Sequence, residues 1–129
     1  MELKIIDEVP HHSKSGNELS SIKFEYVTEI LKMDVKKASN SIRWKEVTVF
    51  KKPLTGVVYL SYPIDKVVSF EVKQILTIGE LLWHVSQAYK AIYEKEELYG
   101  VWGHDIGDLV FEFISLYNFD TIIIPSMGS

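Results

Sequence analysis

Apolar and polar residues alternate in two separate segments of the chain. Every second residue is apolar between Ile22 and Tyr26, and the same alternation returns between Val68 and Lys73. A period of two places apolar side chains on one face of a strand and polar side chains on the other. Sheets with one solvated face are usually antiparallel. The pattern therefore predicts two half-buried strands in a mainly antiparallel sheet.

Two apolar segments between these strands, Ile42–Phe50 and Val57–Tyr62, predict a β-hairpin. The residues that join them include Pro53 and Gly56, which suit a turn because proline fixes φ and glycine permits unusual backbone angles. The apolar positions change parity near Lys45, which predicts a β-bulge there.

The two ends of the chain complete the predicted sheet. Leu3–Val9 is expected to form an edge strand, and Pro10–Ser21 is rich in loop-forming residues. Near the other end, Phe119–Ile124 predicts a last strand that stops at Pro125. The sheet should contain five or six strands.

The period changes at Thr77, where a helix is expected to begin. Thr77 and Glu80 have the spacing of a capping box, in which each side chain pairs with an amide of the first turn. Apolar residues then recur at helical spacing to about Glu97 and form one stripe. The members of this stripe are Leu81, Val85, Ala88 and Ile92.

A second helix is predicted after two glycines, Gly100 and Gly103, that suit a chain reversal. Asp105 and Asp108 are suitable capping residues for it. Its expected buried face consists of Ile106, Leu109, Val110, Phe113, Leu116 and Tyr117. The fold class that follows is α+β, with a curved, mainly antiparallel sheet of five or six strands and two C-terminal helices packed on one face, in a single domain over residues 1–129.

Composition narrows the possible functions. The 129 residues are 47% hydrophobic and include no cysteine, so disulfides, thiolate nucleophiles and cysteine-ligated metals are excluded. Charges near the N-terminus do not suit a signal peptide, and no apolar run approaches the ~20 residues that span a bilayer. These features predict a cytoplasmic protein without membrane contact.

Aromatic residues outside the apolar stripe provide the leading functional hypothesis. Trp83 lies off the stripe, and Tyr99 and Trp102 lie in the glycine-containing connection. Together they would form an exposed aromatic patch suited to a protein partner or to a second copy of the chain. We therefore expect a non-enzymatic interaction or self-associating domain, without a cofactor. The candidate binding residues are Trp83, His84, Tyr99, Trp102, His104, Asp105 and Asp108.

The alternative is a small metal-dependent or acid–base enzyme. On a helix, His104, Asp108 and Glu112 would form one polar stripe able to hold a divalent metal, and His84 could face His104 if the helices pair. Capping and solvation explain the same residues without chemistry. Neither a two-histidine metal motif nor a nucleotide-binding glycine motif is present.

Nucleic-acid binding is a third hypothesis, based on the basic character of residues 32–52. Cations interleave there with Trp44 and Phe50, as they do in strands that bind phosphates and stack bases. The proposed cations are Lys36, Lys37, Arg43, Lys45, Lys51 and Lys52. A net charge of −4 argues against nucleic acid as the partner.

Overall fold

A computed structural model describes residues 1–10, 18–29, 49–117 and 119–129. The strands are β1 (Lys4–Ile6), β2 (Glu18–Glu29), β3 (Val49–Leu60), β4 (Val67–Thr77), β5 (Val110–Tyr117) and β6 (Ile122–Gly128). The helices are α1 (Ile78–Tyr93), the four-residue α2 (Glu96–Tyr99) and a 3₁₀ turn over Ile106–Asp108.

The six strands form one sheet in the order β1-β4-β3-β6-β5-β2. All neighbouring strands are antiparallel except β3 and β6. These two pair in parallel, with Val57 opposite Ile122 and Val58 opposite Ile123. The α+β class and the mainly antiparallel sheet are confirmed. None of the helices in the described part of the chain has the length and apolar character needed to span a lipid bilayer.

Helix α1 begins where the capping residues predicted it. The amide of Glu80 donates to Thr77 Oγ1 at 3.2 Å, and Glu80 Oε2 accepts from the Leu76 amide at 3.2 Å. The second bond reaches one residue further back than in the usual capping box, but it still satisfies an amide near the helix start. The predicted stripe of α1 is fully buried and packs against the sheet.

The predicted second helix is wrong, because the members of its expected buried face from Val110 onwards belong to strand β5. Asp105 precedes only the 3₁₀ turn and makes no side-chain cap. Beyond this turn, residues 110–117 pair with β6 on one side and β2 on the other. A short apolar run can fit either a helix or a strand, and this one is rich in the aromatic and β-branched residues that favour strands.

The predicted hairpin turn at residues 52–56 is also wrong. These residues lie within β3. The pairing of β3 with β4 shifts register twice along this part of the strand. Gly56 has a different role from the one expected, because a Cβ atom at this position would lie 2.6 Å from the carbonyl oxygen of Thr121. The next amide, that of Val57, donates to the same oxygen at 2.9 Å. Glycine thus permits the close approach of β3 to the start of β6.

The remaining strands differ from their predictions mainly in length. β1 lies at one end of the sheet order and is shorter than the expected Leu3–Val9 strand. β6 continues through the buried Pro125, where the sequence predicted an end. Part of the expected loop, residues 18–21, belongs to β2. The rest of that loop from residue 11 and the expected strand and bulge over residues 42–48 lie outside the described residues.

Candidate functional site

Three aromatic rings meet beyond the end of β3, where the chain turns towards β4. Tyr62 and Trp102 lie edge to face with ring centroids 5.5 Å apart. The His104 ring lies 5.5 Å from Tyr62 and 5.7 Å from Trp102. We refer to Tyr62, Trp102 and His104 as the Trp102 surface, since the indole is 46% exposed.

Backbone hydrogen bonds hold this surface against the rest of the protein. The amide of Trp102 donates to the Pro63 carbonyl at 2.9 Å, beside the bridge that pairs Val101 with Ile64. The buried Tyr89 of α1 donates its hydroxyl to the Tyr62 carbonyl at 2.7 Å. Hydrogen bonds to their backbones therefore hold both Tyr62 and Trp102 in place.

The two glycines around Trp102 serve the chain reversal that the sequence predicted. Gly100 and Gly103 have φ values of 70° and 68°, in the left-handed region that favours glycine. Gly100 also lies against the Asp65 side chain, which leaves a Cβ atom at this position only 2.7 Å from Asp65 Cβ. These conformations place Trp102 and His104 on the same side as Tyr62.

A short chain of polar contacts crosses the Trp102 surface. The Tyr62 hydroxyl shares hydrogen bonds with His104 Nε2 at 3.1 Å and with Ser129 Oγ at 3.0 Å. The Tyr93 hydroxyl, at the end of α1, donates to the His104 carbonyl at 3.0 Å. These bonds fix the imidazole between a phenol and the helix end.

The electrostatic environment of this surface is negative. The pKa of Tyr93 is raised to about 12, first by burial and then by the nearby carboxylates of Glu96, Asp105 and Asp108 and by Tyr62. Burial and negative charge both oppose formation of a phenolate. The acidic side chains therefore act directly on the group that holds His104.

The expected aromatic patch is only partly present. Trp83 is 42% exposed, but its ring contact is with the neighbouring His84, at 5.1 Å between centroids. Tyr99 is only 8% exposed and joins the hydrophobic core, so its predicted place in an exposed patch is wrong. Tyr99 is the last residue of the four-residue α2. Trp102 instead pairs with Tyr62.

His84 and His104 belong to different parts of the molecule. His104 contacts Tyr62 and Trp102, whereas His84 lines a cleft beside β1 and β4. The pKa of His84 is lowered, mainly by burial. The nearby Glu80 carboxylate opposes this shift, and the positive charge of the N-terminal amine adds to it. The expected pairing of the two histidines depended on a second helix that the chain does not form.

The predicted metal-binding stripe is wrong for the same reason. His104 precedes the 3₁₀ turn, Asp108 ends it, and Glu112 lies on β5, so they do not share a helical face. Within residues 1–10, 18–29, 49–117 and 119–129, no group of three or more histidine and acidic side chains is arranged to hold a metal ion. Asp105 and Asp108 remain near the Trp102 surface as charges.

Most of the basic residues proposed for nucleic-acid binding lie outside the described residues. Lys51 and Lys52 are described, and both are exposed on β3. That hypothesis stays a prediction from the sequence.

Sequence reasoning missed three members of this site: Tyr62, Tyr93 and Ser129. Tyr62 ends the predicted strand Val57–Tyr62, and Tyr93 lies within the predicted helix that begins at Thr77, so neither position marks a site. Their contacts join residues that are far apart in the chain, so no local spacing marks them. An excess of tyrosines next to an exposed tryptophan is the signal that could have suggested them.

Among the described residues, the contacts of the Trp102 surface do not form a serine–histidine–carboxylate arrangement. Ser129 contacts Tyr62 and not His104, and no carboxylate accepts a hydrogen bond from His104 among the contacts of the described residues. A serine nucleophile requires a base in direct contact and a third group that orients that base. The chain matches no known family model, no curated protein and no solved structure.

Proposed function

We propose that this protein is an interaction module that binds a basic segment of a protein partner on the Trp102 surface. The observation that carries the proposal is the half-exposed indole of Trp102, held edge-on against Tyr62. Tryptophan and tyrosine dominate the binding energy of many protein interfaces because they bury a large area with few rotatable bonds.

The surface is organised before any partner arrives. The Trp102 amide, the Tyr62 carbonyl and the His104 carbonyl each take part in a hydrogen bond of 2.7–3.0 Å to another part of the fold. Ordering a flexible side chain on binding costs about 0.5–1.5 kcal/mol. A prearranged cluster loses less of this energy, which favours its use as an anchor.

Charge complementarity favours a basic partner. Residues 94–112 surround Trp102 in the sequence, and Lys95 is their only lysine or arginine. The acidic residues among them are Glu94, Glu96, Glu97, Asp105, Asp108 and Glu112. Three of these carboxylates raise the pKa of Tyr93, next to His104. Lysine and arginine side chains also bind the faces of exposed aromatic rings, most favourably that of tryptophan.

The test is a peptide array that pairs Lys/Arg-rich peptides with charge-reversed Asp/Glu-rich versions of the same length. We expect the full chain to bind basic peptides, and binding to weaken as salt rises because the charges are exposed. Trp102→Ala should reduce the affinity at least tenfold, corresponding to ~1.4 kcal/mol or more.

Trp83→Ala is the matched control, because that indole is similarly exposed but makes its ring contact with His84 and not with Tyr62 or His104. It should leave peptide binding unchanged, and circular dichroism should show that both variants fold. Equal binding by wild type and Trp102→Ala contradicts the proposal. Sedimentation velocity adds a further check, since a dimer that disappears in Trp102→Ala would identify a second copy of the chain as the occupant and overturn the assignment to a basic segment.

A further inference from the structure

A cleft of about 580 Å³ opens beside β1, away from the Trp102 surface. Pockets for small molecules usually measure ~300–1,000 Å³ and combine apolar walls with a few converging polar groups. This cleft is lined by β1, β3 and β4, and its lining includes Ser69 and Glu71, which share one face of β4. Its size and composition suit a small molecule.

Three hydrogen-bond donors form a row across the cleft. Lys4 of β1 and Tyr59 of β3 are both directly opposite Ser69 of β4. Residues directly opposite each other on neighbouring strands project from the same face of a sheet. The row therefore presents an ammonium group, an aliphatic hydroxyl and a phenol on one side, and all three residues line the cleft.

Ser69 is the most informative member of this row. Its side chain is 5% exposed, and its hydroxyl has no hydrogen-bond partner among residues 1–10, 18–29, 49–117 and 119–129. Ser86, which is also buried, instead donates to the Trp83 carbonyl at 2.7 Å. Buried polar groups are nearly always paired, and an unpaired one is destabilising because its lost hydration is not replaced. A ligand oxygen at Ser69 would remove this destabilisation.

The remaining lining residues indicate which kind of ligand fits. Ile6, Val57 and Ile75 offer an apolar wall to a hydrocarbon group. The charged residues are Glu2, Lys4, Glu71 and Lys73. Glu71 lies opposite Val57, two residues from Ser69 along β4 and therefore outside the row. The row itself thus carries one charge, that of Lys4, which favours an anionic group there.

We propose that this cleft binds a small amphipathic monocarboxylic acid. The carboxylate accepts hydrogen bonds from Lys4, Ser69 and Tyr59, and the hydrocarbon part lies against Ile6 and Val57. Such charge-assisted bonds are stronger than bonds between neutral groups. The site is separate from the Trp102 surface and does not depend on the proposed function.

The test uses decanoate, decanol and decylamine as probes, each below its micelle concentration, in calorimetric titrations of the full chain. We expect decanoate to bind at least tenfold more tightly than decanol, and decylamine to bind most weakly. Lys4→Met and Ser69→Ala should each weaken decanoate binding about tenfold, because each removes a donor to a charged group. Val57→Trp, which fills the cleft, should abolish binding.

Lys90→Met is the matched control for Lys4→Met, since Lys90 is an exposed lysine of α1 that does not line the cleft. It should bind decanoate like the wild type. The proposal is overturned if no probe binds, if decanol binds as tightly as decanoate, or if Lys4→Met and Ser69→Ala both keep the wild-type affinity. Loss of decanoate binding in Trp102→Ala, with the cleft variants unaffected, would also overturn it by moving the ligand to the other surface.

Discussion

The two sides of the sheet differ sharply where β3 runs beside β4. The side that carries α1 is lined by apolar side chains that are fully or almost fully buried, including Val58 and Phe70. The opposite side presents Tyr59, Ser69 and Glu71, and part of it lines the cleft. Neighbouring residues of the same strand thus serve different purposes. One side supplies most of the stabilising burial, and the other side keeps polar groups that a packed core would exclude.

The largest expected difference between the two sides concerns two adjacent valines of β3. Val58 is completely buried under α1, whereas Val57 is half-buried in the cleft. Val58→Ala should lower the free energy of unfolding by about 2–3 kcal/mol, from lost burial and a residual cavity. Val57→Ala should cost less than about 1 kcal/mol. Urea denaturation of both variants measures the contrast, and equal costs would contradict this division of the sheet.

A smaller difference is expected for two buried serines. Ser86→Ala should cost about 1 kcal/mol, because the hydroxyl of Ser86 is hydrogen bonded to the Trp83 carbonyl. Ser69→Ala should leave the stability unchanged or raise it slightly, because it removes a buried hydroxyl that has no partner among the described residues. Thermal unfolding of the two variants without ligand gives the comparison. A clear destabilisation by Ser69→Ala would show that its hydroxyl is already paired.

The smallest expected effect is a pH dependence on the helix side. Burial and nearby carboxylates raise the pKa of Tyr93 to about 12, above the value of 10.0 expected for an exposed tyrosine. The folded state therefore holds this proton more tightly than the unfolded state, and stability falls as the pH rises from about 10 through about 12. The effect should be modest because the phenol is partly exposed.

Tyr93→Phe should remove this part of the alkaline destabilisation, and Asp105→Asn should shift the Tyr93 titration to lower pH. Phenolate absorbance in the ultraviolet follows the titration directly. If Tyr93→Phe loses stability at alkaline pH as much as the wild type does, the pH dependence belongs to other groups.

Local signals in the sequence predicted α1 and the alternating strands correctly. Thr77 and Glu80 lie within one turn of each other, so their capping contacts depend on nearby residues alone. The apolar stripe of α1 is long enough for its period to be unambiguous. For the same reason, the alternation from Val68 to Val72 identified β4 and its buried face.

The same reasoning was wrong where local preference allowed two structures. Residues 110–117 fit a helical stripe as well as a strand, and their pairing with β6 and β2 decided between them. Pro53 and Gly56 suited a turn, but the close approach of Thr121 gave Gly56 another role. Both outcomes depend on strands that are distant in the chain.

The sequence by itself determined the α+β class, the start of α1 and the side of that helix that is buried, because these depend on periodicity and on contacts within a few residues. Only the tertiary structure decided which groups meet. The hydrogen bond between Tyr62 and His104 joins residues 42 positions apart. Lys4, Tyr59 and Ser69 come together through strand register. Register is set by the pairing of whole strands and by burial of one face, and no short stretch of sequence contains that information.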